Sequence, residues 1–363
     1  MKQKIKTLAV LMIVGLHLAN TATAQTDSSS SLKISGYVET YYSYDFGRPI
    51  NHTKPVFFYS YNRHNEINLN LGFVKAAYLK NNVRANFAIA TGTYINANLA
   101  AEPGVLKNIF EANAGVKISK TKNIWVDAGI FASHIGFESA IGKDCPNLTR
   151  SILAENSPYY ESGVKVSYTS SNEKIFLSGL ILNGWQRIQR IDGNNTPAFG
   201  HQLTYKPTSK ITLNSSSFVG SDKADSVRKM RYFHNFYTQI QLSSKVGLTA
   251  GFDIGAEQKA KHSKYFNYWY SPVVILKLNT SAKSAIAVRA EYYSDKNGVI
   301  INSGTANGFK TFGYSLNYDY AVADNILFRI EGRGLNSKDR IFADKNIPSN
   351  NNLALTTLLA ISF

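Results

Sequence analysis

The chain has 363 residues, with 40 Lys and Arg against 24 Asp and Glu, for a formal net charge of +16. Its one cysteine, Cys145, excludes an internal disulfide and a thiolate metal cluster, and no His or carboxylate spacing matches a metal site, so no metal or cofactor is expected. Beyond residue 24 there is no apolar run of helical-span length, which excludes membrane-spanning helices.

Residues 1–24 read as a signal peptide. Lys2, Lys4 and Lys6 form a basic start, Leu8 to Ala19 is an apolar run broken only by His17, and Ala22-Thr23-Ala24 is a small-x-small cleavage pattern. Gln25, not a cysteine, follows the cut, so no lipid anchor is indicated. Loss of the three lysines leaves a net charge near +13. In an exported chain that excess points to membrane surfaces or anionic solutes, not to nucleic acid. Residues 25–31, QTDSSSS, read as a flexible lead-in, too short to form the plug domain of a TonB-dependent transporter.

From Leu32 the hydrophobic period is two. In residues 83–91, Val83, Ala85, Phe87 and Ile89 oppose Arg84 and Asn86; in 326–333, Ile326, Phe328 and Ile330 oppose Arg329, Glu331 and Arg333. Helical spacing fits neither window. Such windows predict sixteen strands, centred near Val38, Leu71, Phe87, Ala114, Gly129, Lys165, Leu180, Leu203, Asn214, Phe236, Phe252, Val274, Val288, Tyr314, Ile330 and Leu358. The seventh, within KIFLSGLILNGW, is apolar on both parities and leaves its register open.

Tight polar turns follow every even-numbered strand, at 80–82, 120–123, 170–174, 207–210, 243–245, 281–284 and 323–325, while longer irregular segments follow the odd ones. A secreted sandwich or propeller would not sort its connections by parity. The pattern predicts an all-β fold over 32–363: a transmembrane antiparallel up-and-down β-barrel of about sixteen strands, with short periplasmic turns and long extracellular loops. Tyr41, Tyr42, Tyr44, Tyr159, Tyr160, Trp185 and Trp269 fall near strand ends and are expected at the membrane interface, whereas Trp125 has inward parity.

The third long connection, 135–158, is the longest. Ile135, Phe137, Ile141, Leu148, Ile152 and Leu153 give it an apolar side suited to packing inside the barrel, as the long third loop of general porins does. Glu138, Lys143, Asp144, Arg150 and Glu155 are then expected to face the water path and narrow it. A turn at 144–147 and a short helix over 149–155, capped by Thr149, complete the expectation.

Alternation assigns Lys117, Lys165, Arg289, Glu291, Arg329, Glu331 and Arg333 to the lumen, and sixteen strands enclose an aqueous channel. The last five form either a basic-leaning ladder or a wall network. With both signs present, a weak preference for anionic or neutral solutes is expected. At the end of the chain Leu359, Ile361 and Phe363 share one face, and the final residue is aromatic. This resembles the C-terminal signal by which outer-membrane barrels are recognised, which makes the barrel-assembly machinery a partner.

The runs GFES at 136–139, TRS at 149–151 and SPYYE at 157–161, followed by a lysine-bearing strand, resemble the OmpL-like β-barrel porins found in many Bacteroidetes genomes. Elsewhere the likeness is architectural, and Cys145 departs from it. The resemblance implies residence in the outer membrane of a Gram-negative bacterium and passive diffusion of small hydrophilic solutes. It assigns no role to individual residues.

A homo-trimer is suggested by analogy with general porins. The competing readings are an adhesin or structural barrel and, more weakly, a barrel hydrolase. No catalytic residue is assigned: Ser133 and His134 are adjacent, which on a strand sends them to opposite faces, and His201 and His234 lack a nucleophile motif.

Overall fold

A strand that alternates apolar and polar side chains satisfies lipid on one face and water on the other, but only if its backbone groups are paired. In the computed structural model, which describes residues 31–345 and 347–363, that condition is met by one closed antiparallel barrel of sixteen strands. The proposed signal peptide and the lead-in through residue 30 lie outside the described residues. The first eight barrel strands are β1 (Leu32–Asp45), β2 (Ile67–Lys80), β3 (Val83–Thr91), β4 (Ile109–Lys117), β5 (Asn123–Ala132), β6 (Tyr160–Thr169), β7 (Ile175–Leu182) and β8 (Ala198–Thr208). They continue as β9 (Ile211–Gly220), β10 (Arg231–Gln241), β11 (Val246–Gln258), β12 (Phe266–Asn279), β13 (Ser284–Asp295), β14 (Phe309–Ala323) and β15 (Ile326–Ser337). The last connection carries a short hairpin, β16 (Phe342–Asp344) and β17 (Ile347–Ser349), before the final barrel strand β18 (Asn351–Ser362). All sixteen sequence-derived centres fall within barrel strands.

Consecutive strands pair with one another, and β1 closes the sheet against β18 from Tyr37↔Ser362 to Asp45↔Ala354. The last residue extends the seam: Phe363 N donates to Gly36 O at 3.0 Å, and Gly36 N donates to Phe363 O at 2.7 Å. Gly36 leaves room for the terminal ring, since a Cβ there would stand 2.3 Å from Phe363 Cε2. On the same seam Leu355 and Leu359 are exposed to the outside, and Ile361 is half-buried.

The outward face is apolar along the wall, with Val74, Phe87, Val166, Phe252, Val274, Val288 and Leu316 exposed. The open register of β7 is resolved by its neighbours: Ile175, Leu177 and Ile181 are exposed outside, while Ser178, Leu180 and Leu182 are buried within.

The long-loop half of the barrel encloses a hydrophobic core of its own. Tyr37, Tyr41 and Leu71 from the wall pack against Tyr61, Leu148 and Leu153 from the first and third long connections. Helix α1 (Thr93–Asn98), in the second, adds Tyr94 and Ile95. A second cluster joins Phe57, Phe218, Phe233, Trp269 and Phe309. Each fully buried large side chain contributes about 1.5–3 kcal/mol.

This core corrects part of the expected aromatic belt. Trp269 is 1% exposed and stacks on Phe233 at 6.2 Å, and Tyr41, Tyr159 and Tyr160 are likewise buried. Trp185 packs edge-on to Phe218 and Phe233. Interior aromatic packing outweighs the interfacial preference at these positions. Exposed outer rings include Tyr232, Tyr268, Tyr270 and Tyr314, while Tyr42 and Tyr44 are half-buried. Trp125 turns inward, with the Arg84 guanidinium 4.2 Å from its ring centre.

The loop helix is shorter than expected. Helix α2 (Ile152–Glu155) is capped by Ser151, whose Oγ accepts from Ala154 N at 3.2 Å. Thr149 cannot cap it, because its own amide and hydroxyl are bound to the barrel wall.

Trp269 lies flat against Gly255, where an added Cβ would stand 2.0 Å from Trp269 Cζ2. Gly255→Ala therefore overpacks the second cluster and should lower stability by about 1–3 kcal/mol, read as a reduced urea midpoint with altered tryptophan fluorescence. An unchanged midpoint and spectrum would remove Trp269 from the interior.

Candidate functional site: the inner wall and the third loop

A loop inside a barrel brings backbone groups that no ladder satisfies, and each must find a partner. Here the wall strands β13, β14 and β15 provide those partners. Arg329 donates from Nη1 to Gly142 O at 2.7 Å, and from Nη2 to Cys145 O at 3.1 Å and Pro146 O at 3.0 Å. Arg289 donates to Thr149 O at 2.6 Å and Thr149 Oγ1 at 2.9 Å, and Arg333 to Arg150 O at 3.0 Å. In the other sense Glu291 accepts from Ile152 N at 2.6 Å, Asn317 from Leu148 N at 3.0 Å, and Glu331 from Thr149 N.

The same groups neutralise one another. Arg329 Nε bonds Asp319 at 2.6 Å, Arg289 Nη2 bonds Glu331 at 3.0 Å, and Arg333 Nη2 bonds Glu291 at 2.7 Å. Arg289, Glu291, Arg329, Glu331 and Arg333 are all buried. They do not present a charged ladder to water; they hold the loop. Lys117 and Lys165 differ: both are half-buried on the inner wall and, among the described residues, neither is in an ion pair. Lys165 Nζ sits 4.6 Å from the Phe131 ring centre.

The five loop residues expected at the water path divide. Lys143 and Asp144 are exposed, their charged groups 3.8 Å apart, and Lys143 lines a cavity of about 700 Å³ beside the turn at 279–285. Glu138, Arg150 and Glu155 are buried, which corrects their expected exposure. Arg150 binds Ser139 O, Leu148 O and Ala140 O, each at 2.8 Å, and so folds the loop onto itself. Glu138 accepts from Ser151 N at 3.1 Å. Glu155 accepts from Tyr59 N at 2.9 Å and Ser60 N at 3.2 Å, tying the first long connection to α2. Nothing in single-residue alternation identifies such contacts.

Burial raises the Glu138 carboxyl, and it pushes Glu155 up to about 7 against the pull of the Tyr59 amide and of Arg150 and Arg333. Burial likewise brings Lys54, in the first long connection, down to about 8, and the Cys145 thiol up to about 11. At the root of the loop His134 Nδ1 pairs with Glu161 at 2.7 Å, and His134 Nε2 meets Ser217 O at 2.8 Å. Burial works against the charged ring there, but the Glu161 carboxylate outweighs it and holds His134 above its ordinary value.

The other two histidines singled out in sequence do meet, on the outside of the barrel. His201 Nδ1 and Ser217 Oγ are 2.5 Å apart, His234 Nε2 and Ser215 Oγ are 2.8 Å apart, and the two rings are 5.5 Å apart.

Residues 31–363 match the family model described as "Putative beta-barrel porin-2, OmpL-like". The chain belongs to that family. It is a porin-family barrel of the outer membrane, as the resemblance in its third loop implied. Solved structures share the architecture at low identity. An anion-selective porin from Comamonas acidovorans matches with a TM-score of 0.61 at 8% identity, over 92% of this chain and 99% of that one. OprB of Pseudomonas putida matches with a TM-score of 0.61 at 11% identity, over 95% and 97%. A trimer form of OmpT from Vibrio cholerae matches with a TM-score of 0.57 at 9% identity, over 92% and 99%. These likenesses establish the fold. No match was found among curated proteins.

Glu138 and Glu155 bind protons more tightly in the packed loop than in a free one, so packing is strongest at low pH and weakens as pH rises from about 4.5 through about 7. His134 adds to the same trend, being more basic when paired, while Lys54 reverses it only above about 8. The melting temperature of the OmpL-like barrel should therefore fall between pH 5 and 7.5, and Glu155→Gln should flatten the slope. A melting temperature that rises across that window would contradict the assignment.

Proposed function

We propose that this barrel is a passive diffusion channel for small hydrophilic solutes, narrowed by its third loop, with a weak preference for anionic or neutral solutes. The observation that carries the reading is the contrast between the two sides of the lumen. On one side the loop is pinned to β13–β15 by mutually neutralised charges. On the other, the inner wall of β3–β8 presents half-buried Arg84, Asn86, Asn113, Lys117, Lys165 and Gln202. Arg84 is balanced by Asp127 at 2.6 Å, whereas Lys117 and Lys165 on that wall are in no ion pair among the described residues. Two reachable lysines on the open side of the lumen favour anions mildly.

The reading is of a channel and not a catalyst. His134 has an orienting carboxylate, as a hydrolytic histidine would, but its other nitrogen is occupied by a carbonyl oxygen and not by a serine hydroxyl.

Single-channel conductance of the refolded protein in a planar bilayer tests this directly. Stable openings are expected, enlarged by deletion of 139–155, with a reversal potential that favours anions and shifts towards cations in Lys117→Glu/Lys165→Glu. No conductance from either form would favour the adhesin or structural barrel instead.

The outer wall supports self-association. His201, Ser215, Ser217 and His234 occupy outward positions on β8–β10, beside exposed Phe199, Leu203 and Phe236. Polar side chains facing hydrocarbon are costly, whereas small and polar residues suit close contact between membrane proteins. The partner is a second copy of this chain, in a homo-trimer or another homo-oligomer. Native mass measurement in mild detergent should show the oligomer, reduced to single chains by His201→Leu/His234→Leu. Single chains in the unsubstituted protein would refute it.

A further inference from the structure

The third loop leaves a cavity of about 340 Å³ between itself and the inner wall of β2 and β4. The volume falls within the roughly 300–1,000 Å³ of small-molecule sites. Its lining is unusual for a water path. Phe73 and Phe110 stand 5.2 Å apart with their planes 21° apart; Phe137 borders the cavity from the loop, but its own ring packs on Tyr237 of β10 at 5.6 Å. All three rings are half-buried. Rings left partly uncovered inside a barrel offer an apolar slot that water fills poorly.

Charge of both signs borders the same slot. Lys75 and Glu111 form an ion pair there, and their side chains keep 29% and 16% of their accessibility. An ion pair that remains reachable gives up little when each partner is exchanged for the opposite charge of a ligand. Tyr159 also lines the cavity.

We propose that this cavity is a binding site for a small zwitterion bearing a planar apolar ring, of the aromatic amino acid class. The ring lies against Phe73 and Phe110, the carboxylate faces Lys75, and the ammonium faces Glu111. The inference rests on the channel reading for its biological sense, since it names the solute class that the lumen retains. It does not rest on conductance for its test.

The full-length protein, refolded in detergent, is titrated by calorimetry with L-phenylalanine, and with glycine and benzyl alcohol as the two halves of that probe; empty micelles serve as the blank. Saturable binding of L-phenylalanine at least tenfold tighter than either half is expected. Phe110→Ala and Lys75→Gln should each weaken it tenfold or more, and Phe110→Leu, which keeps apolar bulk without the ring, should do so by several-fold. Heat-modified gel mobility identifies which variants have folded. Absence of saturable binding, equal binding of benzyl alcohol alone, or full retention in folded Phe110→Leu and Lys75→Gln would each overturn the proposal. A barrel that conducts but does not bind L-phenylalanine loses this inference and keeps the diffusion reading. One that binds it without passing current loses only the diffusion reading.

Discussion

The structure depends on closure of the backbone ladder. A sheet edge in hydrocarbon leaves amides and carbonyls without partners, at several kcal/mol each, so β1 must find β18 or the wall cannot exist in lipid. The pairing runs to the last residue, where Phe363 and Gly36 exchange hydrogen bonds. Closure fixes every strand's parity relative to its neighbours, and parity decides which side chains see lipid and which see the lumen. Much of the apolar surface then lies outside, and the inside holds the charged and amide groups beside the interior aromatic core.

That division explains how a long loop lies in the interior without a lattice of its own. An irregular segment with only a one-turn helix and a 3-10 turn has many unsatisfied backbone groups, and three arginines and two glutamates of β13–β15 supply partners at Gly142, Cys145, Pro146, Thr149, Arg150 and Ile152. Charge-assisted bonds are the stronger kind, and low exposure strengthens them further. Because each arginine is also matched by a carboxylate, the cluster stays neutral and the loop is held without leaving a large field in the lumen.

Strand positions were legible in the sequence because each rests on local alternation, and the length-sorting of connections needed only counting. The anchors were not legible as anchors. Arg329 and Gly142 are far apart in the chain, and alternation shows that an arginine faces inward without showing whether water or a carbonyl waits there. The loop's apolar residues did signal burial, but the same signal was withheld from Glu138 and Glu155, whose charges suggested solvent. For Trp269 a clue existed: Lys277 shares its parity and faces the lumen. The outward histidines were readable too, since His201 shares parity with Phe199 and Leu203.

The contacts that hold the third loop carry an implication for the order of events in assembly. Residues 142–152 are made early in the chain, yet their partners belong to strands near its end, with separations of up to 187 positions. Contacts so distant in sequence form only after the intervening chain has been drawn together. The wall must then be almost complete before the loop can be seated, and the interior core, which contains Leu148 and Leu153, sets last. Construction proceeds from the shell inward, the reverse of a water-soluble domain that collapses around its core.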